Sequence, residues 1–188
     1  MQTYPKTGKE NTVDAVTLAV KEAKERGLDL LMATTGGDSV YIVLEEKEKQ
    51  GYEGKIIAVT HAYGFREKNQ NELSEECRKE LQQKGVQVLT GTHALSAGER
   101  GISSVFKGNY PLELVAQTLR MFGQGTKVCA EIALMAADQG AVREGEPILC
   151  LGGTGRGEDT VIVLTPAASN HLFDLKINEI LAKPSLYE

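Results

Sequence analysis

Four stretches of the chain carry residue types that could bind or transform a ligand. The first is Thr34-Thr35-Gly36-Gly37-Asp38-Ser39, which follows an apolar run ending at Ala33. Strand, glycine turn and helix in that order present free backbone N–H groups at the carboxyl edge of a parallel sheet. Together with the helix macrodipole they favour an anion, most often a phosphate. The glycines permit close backbone approach, and the hydroxyls of Thr34, Thr35 and Ser39 add donors. The same residues would also make a plain strand-to-helix connection, with Asp38 or Ser39 as its N-cap. The second and third stretches are Thr60-His61 and Thr90-Gly91-Thr92-His93, each at the end of a short apolar run. The fourth runs from Gly152 to Asp159 as Gly152-Gly153-Thr154-Gly155-Arg156-Gly157-Glu158-Asp159. It lacks the G-x-x-x-x-G-K-S/T spacing of a P-loop and the strand–turn–helix context of a dinucleotide fingerprint. On pattern it is a glycine-rich hairpin. Arg156 supplies a second reading, because a guanidinium beside free amides can fork onto phosphate oxygens.

Positioning these stretches requires an alternation of strands and helices. Val13, Val16, Ala19, Val20 and Ala23 recur at helical spacing behind Asn11 or Thr12 as cap, and Gly27 ends that helix. Leu28 opens the first strand, and Val40 to Leu44 opens the helix after it. Lys55 to Thr60 is apolar almost throughout, as suits a strand covered on both faces. Leu73, Cys77 and Leu81 stripe a polar helix around Ser74 to Lys84, and Val86 to Leu89 is a third strand. Residues 94–109, broken by Gly98, Gly101 and Gly108, take no clear assignment: a loop-rich segment beside a ligand, or a long connection. Pro111 suits the first turn of a helix, and Thr126 is expected to cap another from Lys127 to Gln139. Two further strands, 147–151 and 160–164, flank the fourth stretch. A final amphipathic segment, 170–181, precedes a tail.

The expected fold is therefore a single α/β domain in three layers, a mostly parallel sheet flanked by helices. Residues 1–10 would form a polar lead and 182–188 a tail. The length of 188 residues suits one domain, and 41% hydrophobic and 25% charged residues are ordinary globular values. A net charge of −5 argues against nucleic acid as the main partner. No apolar run approaches the roughly 20 residues needed to span a bilayer, and the N-terminus lacks a signal-peptide pattern. Three scattered cysteines without C-x-x-C spacing point to a reducing cytoplasm. Cys129 and Cys150 read as core, and His171 as surface. His61 and His93 without a nearby carboxylate triad give no metal site.

The order of these elements, with T-T-G-G-D-S after the first strand and L-G-G-T-G-R-G-E-D-T before the last, resembles the C-terminal α/β domain of pyruvate kinase. The run Leu119-Arg120-Met121-Phe122-Gly123-Gln124-Gly125-Thr126-Lys127-Val128-Cys129-Ala130-Glu131-Ile132-Ala133-Leu134-Met135-Ala136-Ala137-Asp138 is similar to that of free-standing archaeal and bacterial proteins made of this domain alone. The resemblance covers nearly everything after the first ten residues. It implies a phosphorylated ligand held between the two glycine loops, and flavin mononucleotide (FMN) as cofactor. It does not imply pyruvate kinase activity, since neither the catalytic barrel nor that enzyme's lysine and metal-binding carboxylates can be placed.

The expected binding residues are Thr34, Thr35, Gly36, Gly37 and Ser39 in the first loop and Gly153, Thr154, Gly155 and Arg156 in the second. Thr60 and Thr92 are expected to bind the cofactor too, and His61 and His93, leaving the neighbouring strands, would face the ring system. On this reading the protein is an FMN-binding module; an FMN-dependent oxidoreductase using His61, His93 or Tyr63, or a regulatory domain for a phosphorylated effector, are its alternatives. A carboxylate at Gly37 would repel the phosphate, whereas losing the Ser39 hydroxyl would cost about 1–2 kcal/mol. Apolar faces on the helix from Val128 to Ala137 and on the segment from Leu172 to Ile180 suggest a homo-oligomer.

Overall fold

Leu30, Leu31 and Met32 are all fully buried, as are Leu149, Cys150 and Leu151. Side chains along a strand alternate between faces, so a run buried at every position needs a layer of helices on each side. The computed structural model, which describes residues 1–185, has that arrangement. In chain order its elements are β1 (Gln2–Tyr4), α1 (Thr12–Arg26), β2 (Leu30–Thr34), α2 (Asp38–Gln50), β3 (Ile56–Thr60), α3 (Glu75–Gln83) and β4 (Val86–Thr90). There follow α4 (Ala97–Phe106), α5 (Pro111–Arg120), α6 (Gln124–Asp138), β5 (Ile148–Gly152), β6 (Thr160–Thr165) and β7 (Lys176–Pro184).

The seven strands form one sheet in the order β1-β7-β6-β5-β2-β3-β4. Only β6 runs against its neighbours. Leu30, Met32, Ile56, Ala58, Leu149 and Leu151 face a core built with α1, α2 and α3. Leu31, Ile57, Val59, Ile148 and Cys150 face the opposite core under α6. Leu134 of α6 in turn meets Ala116 of α5 and Leu95, so α6 is enclosed on both sides. This is the three-layer α/β domain expected from the sequence.

The ends of the chain differ from expectation. The polar lead contributes β1, which pairs with β7 from Gln2↔Ala182 to Tyr4↔Pro184. A three-residue edge strand has no pattern of its own; its partner, far off in sequence, defines it. The amphipathic segment is a 3-10 turn (Ser169–Asp174) followed by β7. Two register shifts in the β6–β7 ladder space its inward residues unevenly, which hides the alternation of a strand. Residues 182–184 thus belong to the sheet, while 186–188 of the expected tail lie outside the described residues. The unassigned 94–109 region contains α4, anchored by the buried Leu95 beside it. Among the described residues no helix is long and apolar enough to cross a membrane.

Candidate functional site

From β2 the chain steps to β3 and β4 on one side, then crosses back through α4, α5 and α6 to β5 on the other side. That reversal opens a crevice at the carboxyl ends of β2 and β5, where open α/β sheets hold ligands. The loops leaving these two strands are the two glycine-rich stretches. A cleft of about 450 Å³ lies there, within the range of small-molecule sites. Thr34, Thr35, Gly36 and Ser39 line it from the first loop, and Gly153, Gly155 and Arg156 from the second. Thr60 and His61 reach it from β3, and His93 from the loop after β4.

Gly37, Thr92 and Thr154 do not line the cleft. The Gly37 amide donates to Thr34 Oγ1 at 3.1 Å, so it is not free for a ligand. At φ 98° a Cβ on Gly37 would stand 2.7 Å from Cys77 Sγ and 3.3 Å from Leu73 Cδ1, toward α3. Glycine is needed here for packing and backbone conformation. A side chain at 37 would therefore meet Cys77 and Leu73, so loss of binding in Gly37→Asp would not by itself report phosphate repulsion. The N-cap of α2 is Gly37 itself, and no side chain caps the helix. Val40 and Tyr41 donate to Gly37 O, whereas the amides of Gly36, Asp38 and Ser39 have no acceptor among the described residues.

Ser39 has a task besides lining the cleft. Its hydroxyl donates to Glu158 Oε1 at 3.1 Å and joins the two glycine loops. The Glu158 side chain is buried, 3% of the residue being exposed, and Oε2 has no hydrogen-bond partner. Burial pushes its carboxyl up to about 8, the Ser39 hydrogen bond pulling the other way and the Asp159 charge adding to the rise. Asp159 pins the second loop to the start of the chain, accepting from the Gly8 amide at 3.0 Å. Similarly, the Glu158 amide donates to Thr12 Oγ1 at 3.0 Å.

Thr60 is also structural: its hydroxyl donates to His61 O at 2.9 Å and lies 2.7 Å from Thr90 Oγ1. Asn71 donates to the same His61 carbonyl at 2.7 Å, fixing the histidine from the backbone. His61 Nδ1 meets Glu72 Oε2 at 2.5 Å, and Arg66 Nε holds the other oxygen of Glu72 at 3.0 Å. His61, Phe65 and His93 cluster, with Phe65 4.2 Å from His61 and 4.9 Å from His93 between ring centroids. His93 Nε2 accepts from the Ala62 amide at 3.4 Å, and Nδ1 is 4.0 Å from Glu131 Oε2. Burial lowers the His93 pKa although Glu131 opposes it, so the ring is held neutral.

The charged lining was not anticipated. Lys127 and Glu131 of α6 form a buried ion pair at the cleft wall, the residues 4% and 5% exposed. Glu131 Oε1 also accepts from the Leu95 amide at 3.0 Å. Burial lowers the Lys127 pKa against the pull of Glu131, and Arg120 and Arg100 push it the same way as burial. The sequence signal was there: a lysine and a glutamate four apart in an otherwise apolar helix read as a buried pair. The helix starts earlier than expected, behind Gly123, and Thr126 is buried inside it instead of capping it. Lys9, Arg100, Arg120 and Arg156 also line the cleft, and none of these four is in an ion pair among the described residues. Four cations outside any ion pair thus line one cleft of a chain of net charge −5, together with the carboxyl groups of Asp38, Glu131 and Glu158.

Cys129 and Cys150 are buried thiols, as expected, with burial raising Cys129 far from thiolate formation. His171 is on the surface, its Nδ1 3.0 Å from Glu144. No protein-family model matches the chain.

Proposed function

We propose that the cleft binds a phosphorylated cofactor, and that the cofactor is FMN. The observation that carries this reading is the convergence of two glycine loops and four unpaired cations on one cleft of an acidic chain. The resemblance of residues 34–39, 119–138 and 151–160 to the pyruvate kinase C-terminal domain and its free-standing relatives supports the flavin. The residues suit the group. The free amides of Gly36, Asp38 and Ser39, with Arg156 and Lys9, would take the phosphate. Apolar Ile42, Val59, Val128, Ile132 and Met135 with the His61–Phe65–His93 cluster would take the ring. Bound there, a flavin would supply hydride or one-electron transfer.

An oxidoreductase is favoured over a regulatory module by one observation: a histidine held by a carboxylate, His61 on Glu72, opens onto the cleft. Phosphate transfer between phosphoenolpyruvate and ADP is not expected of this chain.

The test is the visible spectrum of the purified protein, followed by flavin fluorescence quenching on titration into stripped protein. FMN should bind, riboflavin should bind at least about tenfold more weakly, and Arg156→Gln should narrow that gap. Equal affinity for riboflavin and FMN in folded wild type would remove the phosphate from the interaction and sink the proposal.

A further inference from the structure

The cleft has a second half that a phosphate site at the glycine loops leaves unexplained. Arg100 of α4 and Arg120 at the end of α5 both line it, and both also line a smaller groove between those helices. Arg100 lies 5.9 Å from the Phe65 ring centroid, and Phe65 packs on His61 at 4.2 Å. Glu99 and Glu113 line the smaller groove with the two arginines, yet neither forms an ion pair with them among the described residues, and Glu99 accepts from the Glu113 amide at 3.0 Å. Of these carboxylates Glu131 alone lines the main cleft, and it is already committed to Lys127 and to the Leu95 amide. Arg120 makes one side-chain bond, from Nε to the neutral Gln124 Oε1 at 2.8 Å, which leaves both of its terminal nitrogens available. The amides of Ser96 and Ala97 at the start of α4 both donate to His93 O. This end therefore offers guanidinium forks in place of a loop-amide cradle, and such forks match a planar carboxylate.

Beside this cluster stands a positioned base. Glu72 at 2.5 Å fixes the His61 proton on Nδ1, and Arg66 keeps Glu72 oriented. Glu72 is outside the cleft lining and His61 inside it. Nε2 of His61 has no hydrogen-bond partner among the described residues. Base at the cleft and carboxylate behind it is the geometry by which an imidazole accepts a proton from a bound group. His93 cannot share the task, because its Nε2 already receives the Ala62 amide.

We propose that this half of the cleft is a substrate site for a small carboxylate bearing a hydroxyl, with Arg100 and Arg120 holding the carboxylate and His61 Nε2 accepting the hydroxyl proton. The hydroxyl donates a hydrogen bond to His61 Nε2, so that its proton has a place to go as the oxygen gains electron density. Glu72 is a positioning residue; it holds the tautomer and takes no proton. The site goes beyond the FMN reading and does not depend on which cofactor occupies the loops.

The experiment is imidazole proton–nitrogen correlation spectroscopy on the full chain, with His61, His93 and His171 assigned by substitution. The probe is glycolate, acetate is the hydroxyl-free control, inorganic phosphate is the competitor, and ionic strength is matched with chloride. His61 should appear as the Nδ1–H tautomer, and Glu72→Gln should mix the tautomers. Glycolate should move the His61 Nε2 signal and leave His171 in place, and acetate should move it less. The Arg100→Gln/Arg120→Gln variant should weaken the glycolate response at least about tenfold, with circular dichroism confirming the fold. An unmoved His61 signal, an unchanged response in the double variant, or simple displacement by phosphate overturns the site. FMN quenching is read separately. A glycolate response without FMN binding would defeat the proposed cofactor alone, and FMN binding without a glycolate response would defeat this inference alone.

Discussion

Ser39 Oγ donates to Glu158 Oε1 at 3.1 Å across 119 residues of sequence. This single bond ties the helix that follows the first glycine loop to the second glycine loop, at the point where the cleft opens. It also gives Glu158 its one side-chain partner, since Oε2 has none. Ser39→Ala would therefore strip a buried carboxyl and not merely remove a hydroxyl from solvent. We expect it to destabilise the fold by about 1–3 kcal/mol, measured as a drop in the urea midpoint without ligand.

Glu158 makes stability depend on pH in a stated direction. Its folded value is pushed up from 4.5 to about 8, so between those limits the unfolded chain releases a proton that the folded chain keeps. The stabilisation is complete below 4.5 and is lost as pH rises to about 8, by up to about 1.4 kcal/mol per pH unit. Glu158→Gln should flatten that slope. Parallel urea midpoints for wild type and variant across the window would contradict the assignment.

Gly37 tests packing on its own, without any ligand. At φ 98°, with Cys77 Sγ 2.7 Å from the site of a Cβ, Gly37→Ala should lower stability by about 1–3 kcal/mol. Cys77→Gly in the same chain should recover the steric part and leave the backbone part. Thermal unfolding that placed Gly37→Ala level with wild type would show that α3 yields easily.

The Lys127–Glu131 pair should behave as a buried pair. Lys127→Met leaves Glu131 charged in a site that is 5% exposed, and we expect a loss of about 3–5 kcal/mol. Adding Glu131→Gln keeps an acceptor for the Leu95 amide and should restore much of the stability. A double variant no better than Lys127→Met would mean that the two charges do not act as a unit.

We expect self-association, through a face other than α6; the second face suggested by the sequence, Leu172 to Ile180, keeps Phe173 exposed and stays available. Helix α6 is enclosed between the sheet and α5 within one chain, so it has no face to offer a partner. Instead α4 has no buried residue and exposes Val105 and Phe106, the latter 76% exposed, while Leu114 and Met121 are exposed on and beyond α5. A second copy covering this apolar face would give a mass above 20.4 kDa by light scattering, and Phe106→Glu should return it to the monomer value. A wild-type mass equal to the monomer would end the idea.

The sequence by itself determined the layers, the central strands and the loops around the cleft. Fully apolar runs such as Leu30–Met32 can exist only between two helical layers, and glycines with threonines mark where β2 and β5 leave the sheet. It could not show that β1 pairs with β7, or that β7 is a strand, because a long-range partner and two register shifts decide these. Nor could it show that Gly37 faces α3 while Gly36 faces the cleft, since direction at neighbouring glycines depends on local φ and on what packs behind them. Along the chain nothing marks Glu158 as buried or singles out Arg100. Only tertiary structure buries the one against Ser39 and brings the other to the Phe65 ring beside His61. Desolvation and convergence of distant side chains are properties of the fold, and they are what turn these residues into a site.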